Sequence, residues 1–180
     1  MNNIEPFDRV KEKTRDGDFN VPIGHFALSN SKNISLNHSP TISIYGLGSC
    51  IALVLFDKTN NVSAMSHILL PKAQPNKEIR FPHKYANLSV KLLMEELLNH
   101  GAVRDNIRAL VVGGSKIFNF DNNLMGFDNT SSVKEELNSL KIQIIKEDTG
   151  GSKGRNVKFD TKNFSLSVKS TGEKEFKKIY

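Results

Sequence analysis

The stretch "CIALVLFDKTNNVSAMSHILLP", residues 50–71, decides the fold of this chain. Its first part, CIALVLFD at 50–57, is apolar at almost every position, which is typical of a strand buried between two layers. Turn-forming residues follow in DKTNN, and VSAMSHILLP at 62–71 has the pattern of a second strand that ends at Pro71. The stretch therefore predicts a buried β-hairpin inside a layered protein.

The hairpin brings Cys50, the only cysteine of the chain, close to His67. A turn centred between Lys58 and Thr59 places the two residues directly opposite each other, and a turn one residue further along places them diagonally on the same face. An odd number of loop residues or a bulge would separate them. A thiol beside an imidazole is the arrangement of a cysteine nucleophile with its general base, because the imidazole can accept the thiol proton.

A structural role also fits both residues, and spacing alone favours it. Cys50 would then be a small apolar residue of the core, and His67 a buried histidine with satisfied hydrogen bonds. The glycines of GLGSC, residues 46–50, favour chemistry instead, because they let a substrate approach the backbone and free N–H groups that can hold an oxyanion. The hairpin does not decide the roles of the other histidines, which are His25, His38, His83 and His100.

Two helices are predicted outside the hairpin. YANLSVKLLMEELLNHG, residues 85–101, has an apolar stripe at helical spacing and ends in a glycine, as helices often do. The stripe consists of Ala86, Val90, Leu93, Met94 and Leu97. The second helix is predicted to begin at Ser132, because Ser132 and Glu135 have the spacing of a capping box.

Further strands complete the predicted fold. They are expected at 21–29, 41–47, 108–114, 141–148, 155–160 and 164–170, the last two as a closing hairpin. The glycine pairs at 113–114 and 150–151 are predicted to form turns, because neither has the lysine and hydroxyl pattern of a phosphate-binding loop. Strands outnumber helices, and their order is not a regular βαβ alternation. The sequence therefore predicts an α+β fold, a strand-rich sandwich with helices on one side.

Length and composition indicate one globular domain. The 180 residues are 38% hydrophobic and 24% charged, and no apolar run approaches the roughly 18 residues that span a membrane. Residues 1–20 are polar and weakly periodic, which predicts a mobile extension before a single domain at 21–180. The first residues contain no apolar leader, and a lone cysteine cannot form an internal disulfide. We therefore expect a cytoplasmic protein without membrane insertion.

The charge and the metal-binding residue types exclude two further classes of protein. The net charge is +6, but the basic residues are scattered, so a solvated lysine surface is favoured over nucleic-acid binding. A zinc site needs three or four ligands at close spacing, which one cysteine and unclustered histidines do not supply. We expect no metal and no cofactor.

Five segments resemble, in order, those of the chemoreceptor glutamine deamidases, the CheD family. They are GLGSCIALVLFD, AMSHILLP, KYANLSV, VVGGSKIF and EDTGGSKGRNVKFD, and the resemblance runs from about residue 22 to residue 170. It implies a three-layer α/β/β sandwich similar to the catalytic domain of deamidating bacterial toxins. It also implies a cytoplasmic enzyme that hydrolyses glutamines of chemoreceptor cytoplasmic domains to glutamate, in some members glutamyl methyl esters as well, and that binds the CheC phosphatase.

The resemblance implies roles for particular residues. It places the family's nucleophile on Cys50 and its histidine on His67. Backbone N–H groups near Gly48 and Ser49 would hold the oxyanion, and the residue pair Gly114 and Ser115 would shape the rim of the cleft. Only Cys50 and His67 are assigned through the family; the oxyanion and rim residues are tentative assignments from the glycines around them.

One position departs from the family pattern. The family usually has a threonine two residues before the first glycine of GLGSC, and this chain has Ile44 there. Ser43 is a tentative replacement as the residue that orients His67, but adjacent strand residues face opposite sides, so it would need a bulge or a shifted register. A main-chain carbonyl is the favoured orienter, because it needs no break in strand alternation.

Two alternatives to an enzyme stay open at this point. In the first, Ile44 marks a lost active site, and the protein is a non-catalytic docking partner of the CheC phosphatase or of chemoreceptors. In the second, Cys50 is a redox sensor, which usually needs a second cysteine that the chain does not have. Reactivity of the thiol well below pH 8 would favour the enzyme.

Overall fold

The structure, a computed structural model, describes residues 18–30, 41–117 and 124–180. Within these ranges the chain forms ten strands, two α-helices and two short 3₁₀ turns, Pro82–Lys84 and Arg104–Asn106. The elements in chain order are β1 Phe19–Asn20, β2 Phe26–Asn30, β3 Thr41–Leu47, β4 Ile51–Asp57, β5 Val62–Ile68, α1 Ala86–Asn99, β6 Arg108–Gly113, α2 Met125–Ser139, β7 Gln143–Thr149, β8 Arg155–Asp160, β9 Ser165–Ser170 and β10 Lys177–Lys178.

The strands form two five-stranded sheets. The central sheet has the order β2-β5-β4-β6-β7, in which only β6 and β7 run parallel. The outer sheet has the order β1-β3-β8-β9-β10, in which only β1 and β3 run parallel. The chain is therefore a mixed α+β protein, as predicted, and β4 lies in the middle of the central sheet.

The register of the β4–β5 hairpin decides how Cys50 and His67 are placed. Ala52 pairs with His67 and Ile51 with Ile68, so the turn is centred one residue further along than direct opposition of Cys50 and His67 requires. Cys50, immediately before β4, is therefore diagonal to His67 and on the same face of the hairpin. The prediction that the two residues lie diagonally on the same face of the hairpin is confirmed.

Two hydrophobic cores cover the two faces of the central sheet. One core combines alternate strand residues such as Leu53 and Leu55 with the helices. The other core lies between the two sheets. It combines the intervening residues, including Cys50 and Val54, with residues of the outer sheet such as Phe159. The helices and the outer sheet thus pack on opposite faces of the central sheet, which explains why β4 is apolar on both faces.

Helix α1 agrees with the sequence prediction. All five residues of its predicted stripe are buried, in the core on the helix side of the central sheet. The helix ends at Asn99, and Gly101 follows with a φ of 96°, a conformation that glycine adopts without strain. Truncating Leu93 or Leu97, each fully buried, to alanine would destabilise the fold by about 2–5 kcal/mol.

Helix α2 begins seven residues earlier than predicted. It starts at Met125, and Ser132 lies in its interior, where its hydroxyl donates to the carbonyl of Pro71 at 2.8 Å. The predicted capping box is therefore wrong, since the serine bonds another segment rather than its own helix. The true start has no side-chain cap, and this leaves no capping signal in the sequence.

The N-terminal boundary also differs from the prediction. Phe19 and Asn20 form β1 and pair with Ile42 and Ser43, so the sheet begins before residue 21. Residues 1–17 lie outside the described residues, as does the loop that carries His38, so the predicted mobile extension stays a prediction. Among the described residues, no helix is long and apolar enough to cross a membrane.

Candidate active site

Cys50 and His67 lie at the same end of the central sheet. Their side chains are 9% and 6% exposed, on the face that packs against the outer sheet. Among the described residues, no hydrogen bond joins the Cys50 thiol to His67. The two groups thus share one face of the hairpin, and neither is fixed by a hydrogen bond to the other.

A main-chain carbonyl orients His67. Its Nδ1 lies 3.0 Å from the carbonyl oxygen of Val21, and the Val21 N–H donates to the Ser43 carbonyl at 2.9 Å. Because a carbonyl only accepts, Nδ1 carries the proton and Nε2 is the basic nitrogen. This is the carbonyl orienter that the sequence favoured, supplied by the segment between β1 and β2.

Ser43 does not have the orienting role tentatively assigned to its side chain. Ile42 and Ile44 belong to the core between the sheets, so by alternation the Ser43 hydroxyl is directed away from His67. The only register shift in the pairing of β3 with β8 falls after Ile44 and cannot turn Ser43 around. Its Oγ is buried without a hydrogen-bond partner. Ser43 acts here through its main-chain carbonyl.

Burial keeps both reacting groups neutral. Desolvation raises the pKa of the Cys50 thiol, and the Cys50 backbone N–H lowers it by less. Desolvation lowers the pKa of His67, the Val21 carbonyl raises it, and the charge of His25 lowers it. The resting pair is therefore a thiol and an unprotonated imidazole, in which the imidazole is ready to accept a proton.

His25 is the neighbour of His67 that the sequence could not place. The His67 N–H donates to the His25 carbonyl at 3.1 Å, and the Gly24 N–H donates to the His67 carbonyl at 2.8 Å. Two residues just before β2 thus oppose one residue of β5, as in a β-bulge, and the φ of 77° at Gly24 suits glycine in that position. The bulge holds the segment that contains Val21 against β5.

The segment before β4 is held through three successive carbonyl groups. The Ser115 N–H donates to Gly48, the Asn129 side-chain amide to Ser49, and the Gly114 N–H to Cys50, each at 2.9 Å. Among the described residues, no hydrogen bond uses the N–H of Gly48 or Ser49. The N–H groups at 48–50 therefore remain the candidate oxyanion donors.

Gly114 and Ser115 support the site from behind rather than forming a substrate-binding rim. Their N–H groups already bond the segment before β4, so they are not available to an oxyanion. The Ser115 hydroxyl is fully buried, lies 2.7 Å from the Lys153 carbonyl, and accepts a hydrogen bond from Arg155. The expectation that this pair lines the cleft is corrected accordingly.

The glycines around the site permit close backbone contacts. A Cβ at Gly113 would lie 2.2 Å from the Cys50 carbonyl oxygen, and one at Gly114 would lie 2.8 Å from the Gly126 carbonyl oxygen. Both residues have a positive φ, which glycine adopts without strain, and Gly113 is the last residue of β6. At Gly48 the missing side chain is replaced by Ile117, whose Cδ1 lies 2.3 Å from where a Cβ would be. Gly48 therefore accommodates Ile117 rather than leaving open space.

Two supporting residues were missed by the sequence interpretation. Asn129 is fully buried in α2 and bonds the carbonyls of Ser49 and Leu69 at 2.9 and 2.8 Å. Arg155 forms a two-bond ion pair with Asp148 and also donates to the Gly150 carbonyl at 2.9 Å. Neither has a local sequence signal, because their partners are distant in sequence or are main-chain atoms.

A groove of about 680 Å³ lies beyond the end of β5. Its lining begins three residues after His67 and combines apolar side chains with two lysines, a glutamine and the carboxylate of Asp128. Lining residues include Leu70, Lys72, Lys77, Ile79, Tyr85 and Met125. In the part of the chain that the structure describes, no group of three or more His, Cys, Asp or Glu side chains could hold a metal ion.

Comparison with known proteins now identifies the family. Residues 69–170 match the family model described as CheD chemotactic sensory transduction. Two proteins named probable chemoreceptor glutamine deamidase CheD, from Clostridium novyi (strain NT) and Clostridium botulinum (strain Hall), are each 35% identical over 144 residues, which cover 78% of this chain and 88% of theirs. The chain belongs to the CheD family. The family-model match begins two residues after His67.

Proposed function

We propose that this CheD family member is a cysteine-dependent protein-glutamine deamidase, an amide hydrolase that acts on chemoreceptors. The names of its relatives support the activity, since both are called probable chemoreceptor glutamine deamidases. The observation that carries the proposal is the hydrogen bond between His67 Nδ1 and the Val21 carbonyl, beside the only thiol of the chain. It leaves the nitrogen that can act as a base free for that thiol.

The proposed reaction passes through a thioester. His67 Nε2 takes the Cys50 proton as the sulfur attacks the carboxamide carbon, and the N–H groups of Ser49 and Cys50 stabilise the oxyanion. His67 then gives its proton to the departing ammonia as the C–N bond breaks. A water molecule, deprotonated by His67, attacks the thioester, and the carbon–sulfur bond breaks to release glutamate and restore the thiol.

A glutamyl methyl ester would react by the same steps, with methanol as the leaving group instead of ammonia. We include methylesterase activity in the proposal for this reason. Water-excluding burial of the Cys50–His67 pair would serve both acyl transfers.

The proposal extends to fold, substrate and location. We propose a three-layer α/β/β sandwich like that of deamidating toxins, supported by the two cores on opposite faces of the central sheet. We propose receptor cytoplasmic domains as substrates, for which the groove beyond β5 offers apolar surface with charged groups of both signs. A CheC-type phosphatase is the proposed protein partner, and the cytoplasm the proposed compartment.

A non-catalytic docking role is the second candidate function. It is favoured by Ile44, which is fully buried where the family usually has a threonine, and by the absence of a thiol–imidazole hydrogen bond among the described residues. In this role the protein would bind receptors or a CheC-type phosphatase without changing them.

One experiment separates the two functions. Purified protein is incubated with candidate receptor cytoplasmic domains, and peptide mass spectrometry locates any glutamine that becomes glutamate. We expect conversion at a few defined glutamines with the wild type and none with Cys50→Ala. Binding of a receptor without conversion of any glutamine by the wild type would favour docking and reject the enzyme.

A further inference from the structure

Asn129 is the only side chain among the three donors that hold the segment 48–50. The Gly48 and Cys50 carbonyls are held by main-chain N–H groups of residues 114 and 115, and the Ser49 carbonyl is held by the Asn129 Nδ2 at 2.9 Å. A substitution can therefore remove this one tether without altering the backbone of the others.

The Ser49 carbonyl and the Cys50 N–H belong to one peptide unit. A trans peptide is planar, and its C=O and N–H point in opposite directions. A donor that fixes the direction of the Ser49 carbonyl therefore fixes the direction of the Cys50 N–H. This N–H lowers the pKa of the Cys50 thiol in the resting site, against the larger effect of burial.

The same amide reaches the histidine strand. Asn129 Nδ2 also donates to the Leu69 carbonyl at 2.8 Å, and Leu69 is the position that the hairpin register places opposite Cys50. One NH₂ group thus connects α2 to the ends of both strands that carry the proposed dyad.

The amide has only one orientation that fits. Turning it over would place Oδ1 against two carbonyl oxygens, and all three atoms are acceptors. Oδ1 is instead buried without a hydrogen-bond partner, a state that is unfavourable for a polar atom. An aspartate has nearly the same size but, when ionised, cannot donate to either carbonyl.

Close packing keeps α2 near enough for this contact. A Cβ at Gly126 would lie 2.5 Å from the Gly114 carbonyl oxygen, so α2 approaches the glycine turn at backbone distance. Asn129 is one turn further along the helix. Its position is therefore set by the backbone contact rather than by a flexible side chain.

We propose that Asn129 is a positioning residue that directs the Cys50 N–H toward the oxyanion of the reaction. The inference rests on the proposed deamidase function for its kinetic consequence, but the positioning of the peptide does not depend on any receptor. Asn129 contacts neither substrate nor thiol and acts through the Ser49–Cys50 peptide.

The test compares Asn129→Asp with Ser132→Ala. Ser132 is a matched control, because it lies on the same helix and donates to the Pro71 carbonyl at 2.8 Å without contacting the segment 48–50. For Asn129→Asp we expect kcat for deamidation to fall by about 100-fold while KM changes by less than about threefold, since an oxyanion donor acts in the transition state. Ser132→Ala should leave both constants within about twofold of the wild type.

A second readout needs no receptor. In Asn129→Asp, iodoacetamide should alkylate Cys50 about tenfold more slowly at a fixed mildly alkaline pH, and the rate profile should move to higher pH, because the Cys50 N–H is no longer held where it lowers the pKa of the thiol. Ser132→Ala should keep the wild-type profile. An unchanged profile and unchanged kcat in folded Asn129→Asp, or equal changes in both variants, would overturn the inference.

A measurement on the wild type covers the case in which Asn129→Asp does not fold. The Asn129 side-chain NH₂ protons, observed by NMR, should exchange with solvent at least about 100-fold more slowly than those of an exposed amide. Fast exchange would overturn the inference. A wild type that deamidates no receptor, with alkylation slowed only in Asn129→Asp, would reject the proposed function and support the positioning role.

Discussion

At the scale of single residues, the orientation of His67 is set by a backbone atom. The Val21 carbonyl accepts from Nδ1, and Val21 is itself held by the Ser43 carbonyl. A carbonyl selects the tautomer as a hydroxyl would, and it also stabilises the imidazolium that forms when His67 accepts a proton. A side-chain hydroxyl is therefore not needed to orient this histidine.

Ser43→Ala should be almost silent in activity. The hydroxyl it removes is buried and has no hydrogen-bond partner, and the carbonyl it keeps is the group that holds Val21. We expect a deamidation rate within about twofold of the wild type and a melting temperature that is unchanged or higher, since an unsatisfied buried polar group is lost. A fall in rate of about tenfold or more would show that the hydroxyl orients His67.

Ile44→Thr should affect stability more than activity. Ile44 is fully buried between the sheets, so the change removes apolar contacts and buries a hydroxyl. We expect a loss of about 1–3 kcal/mol in the free energy of unfolding, measured by denaturant titration, and a rate per folded molecule that is unchanged or higher. A severe loss of rate with the fold intact would contradict the role given to this position.

At the scale of elements, two loops and a strand are tied together behind the site by Arg155. Its guanidinium pairs with Asp148 of β7 and donates to the carbonyl of Gly150 and to the hydroxyl of Ser115. Ser115 in turn holds the Gly48 carbonyl. The segment that carries Cys50 thus depends on a buried cation more than ten residues away from any predicted site residue.

Arg155→Lys should destabilise the protein markedly. A lysine cannot reproduce the planar fork that meets both oxygens of Asp148 and the carbonyl beside it. We expect a loss of about 2–4 kcal/mol in the free energy of unfolding, by denaturant titration. Lys134→Ala is the control, because it removes an exposed ion pair with Glu147, which lies next to Asp148 on β7. It should lower the free energy of unfolding by less than about 1 kcal/mol. Equal effects of the two changes would contradict the supporting role of Arg155.

The Pro82–Lys84 turn adds a buried histidine that makes stability depend on pH. His83 is 2% exposed, and its Nδ1 lies 3.1 Å from the Ser89 hydroxyl. Burial, with a smaller effect of the His25 charge, lowers the pKa of His83 from 6.5 to about 3. Between these values the unfolded chain binds a proton that the folded protein does not, so the free energy of unfolding falls as the pH falls.

His83→Asn should reduce this loss of stability at acid pH. Asparagine can still donate to Ser89 but does not titrate, so the variant lacks the linked proton. We expect the fall in stability from neutral pH to about pH 4 to be smaller than in the wild type by on the order of 3 kcal/mol, measured by denaturant titration at each pH. The same pH dependence in both proteins would show that His83 titrates normally in the folded state.

At the scale of the whole molecule, the sequence predicted elements better than their assembly. The apolar pattern of 50–57 and the turn after it were enough to place Cys50 and His67 on one face, because strand alternation depends only on local geometry. The pairing of β8 with β3, which builds the outer sheet, has no local signature. Long-range pairing is decided by tertiary packing, and the sequence predicted β8 and β9 only as a hairpin.

The candidate site, like the fold, was predicted only in part from the sequence. The reacting pair could be found from side-chain chemistry and spacing. The sequence favoured a main-chain carbonyl as the group that orients His67, but it could not identify the carbonyl of Val21. Every residue has a carbonyl, and no sequence signal shows which one accepts the hydrogen bond. Asn129 was missed because α2 was predicted to start after it, and Gly114 and Ser115 were misassigned because their bonds run through main-chain N–H groups.

The central claim is that Cys50 and His67 act as one catalytic unit. The most direct test is the single-turnover rate of receptor glutamine conversion for Cys50→Ala, His67→Ala and the double variant, each shown to be folded by circular dichroism. We expect each single variant to lose at least about 1,000-fold, and the double variant to be little worse than either one, because removing either member disables the same step. Substantial conversion by either folded single variant would contradict the account.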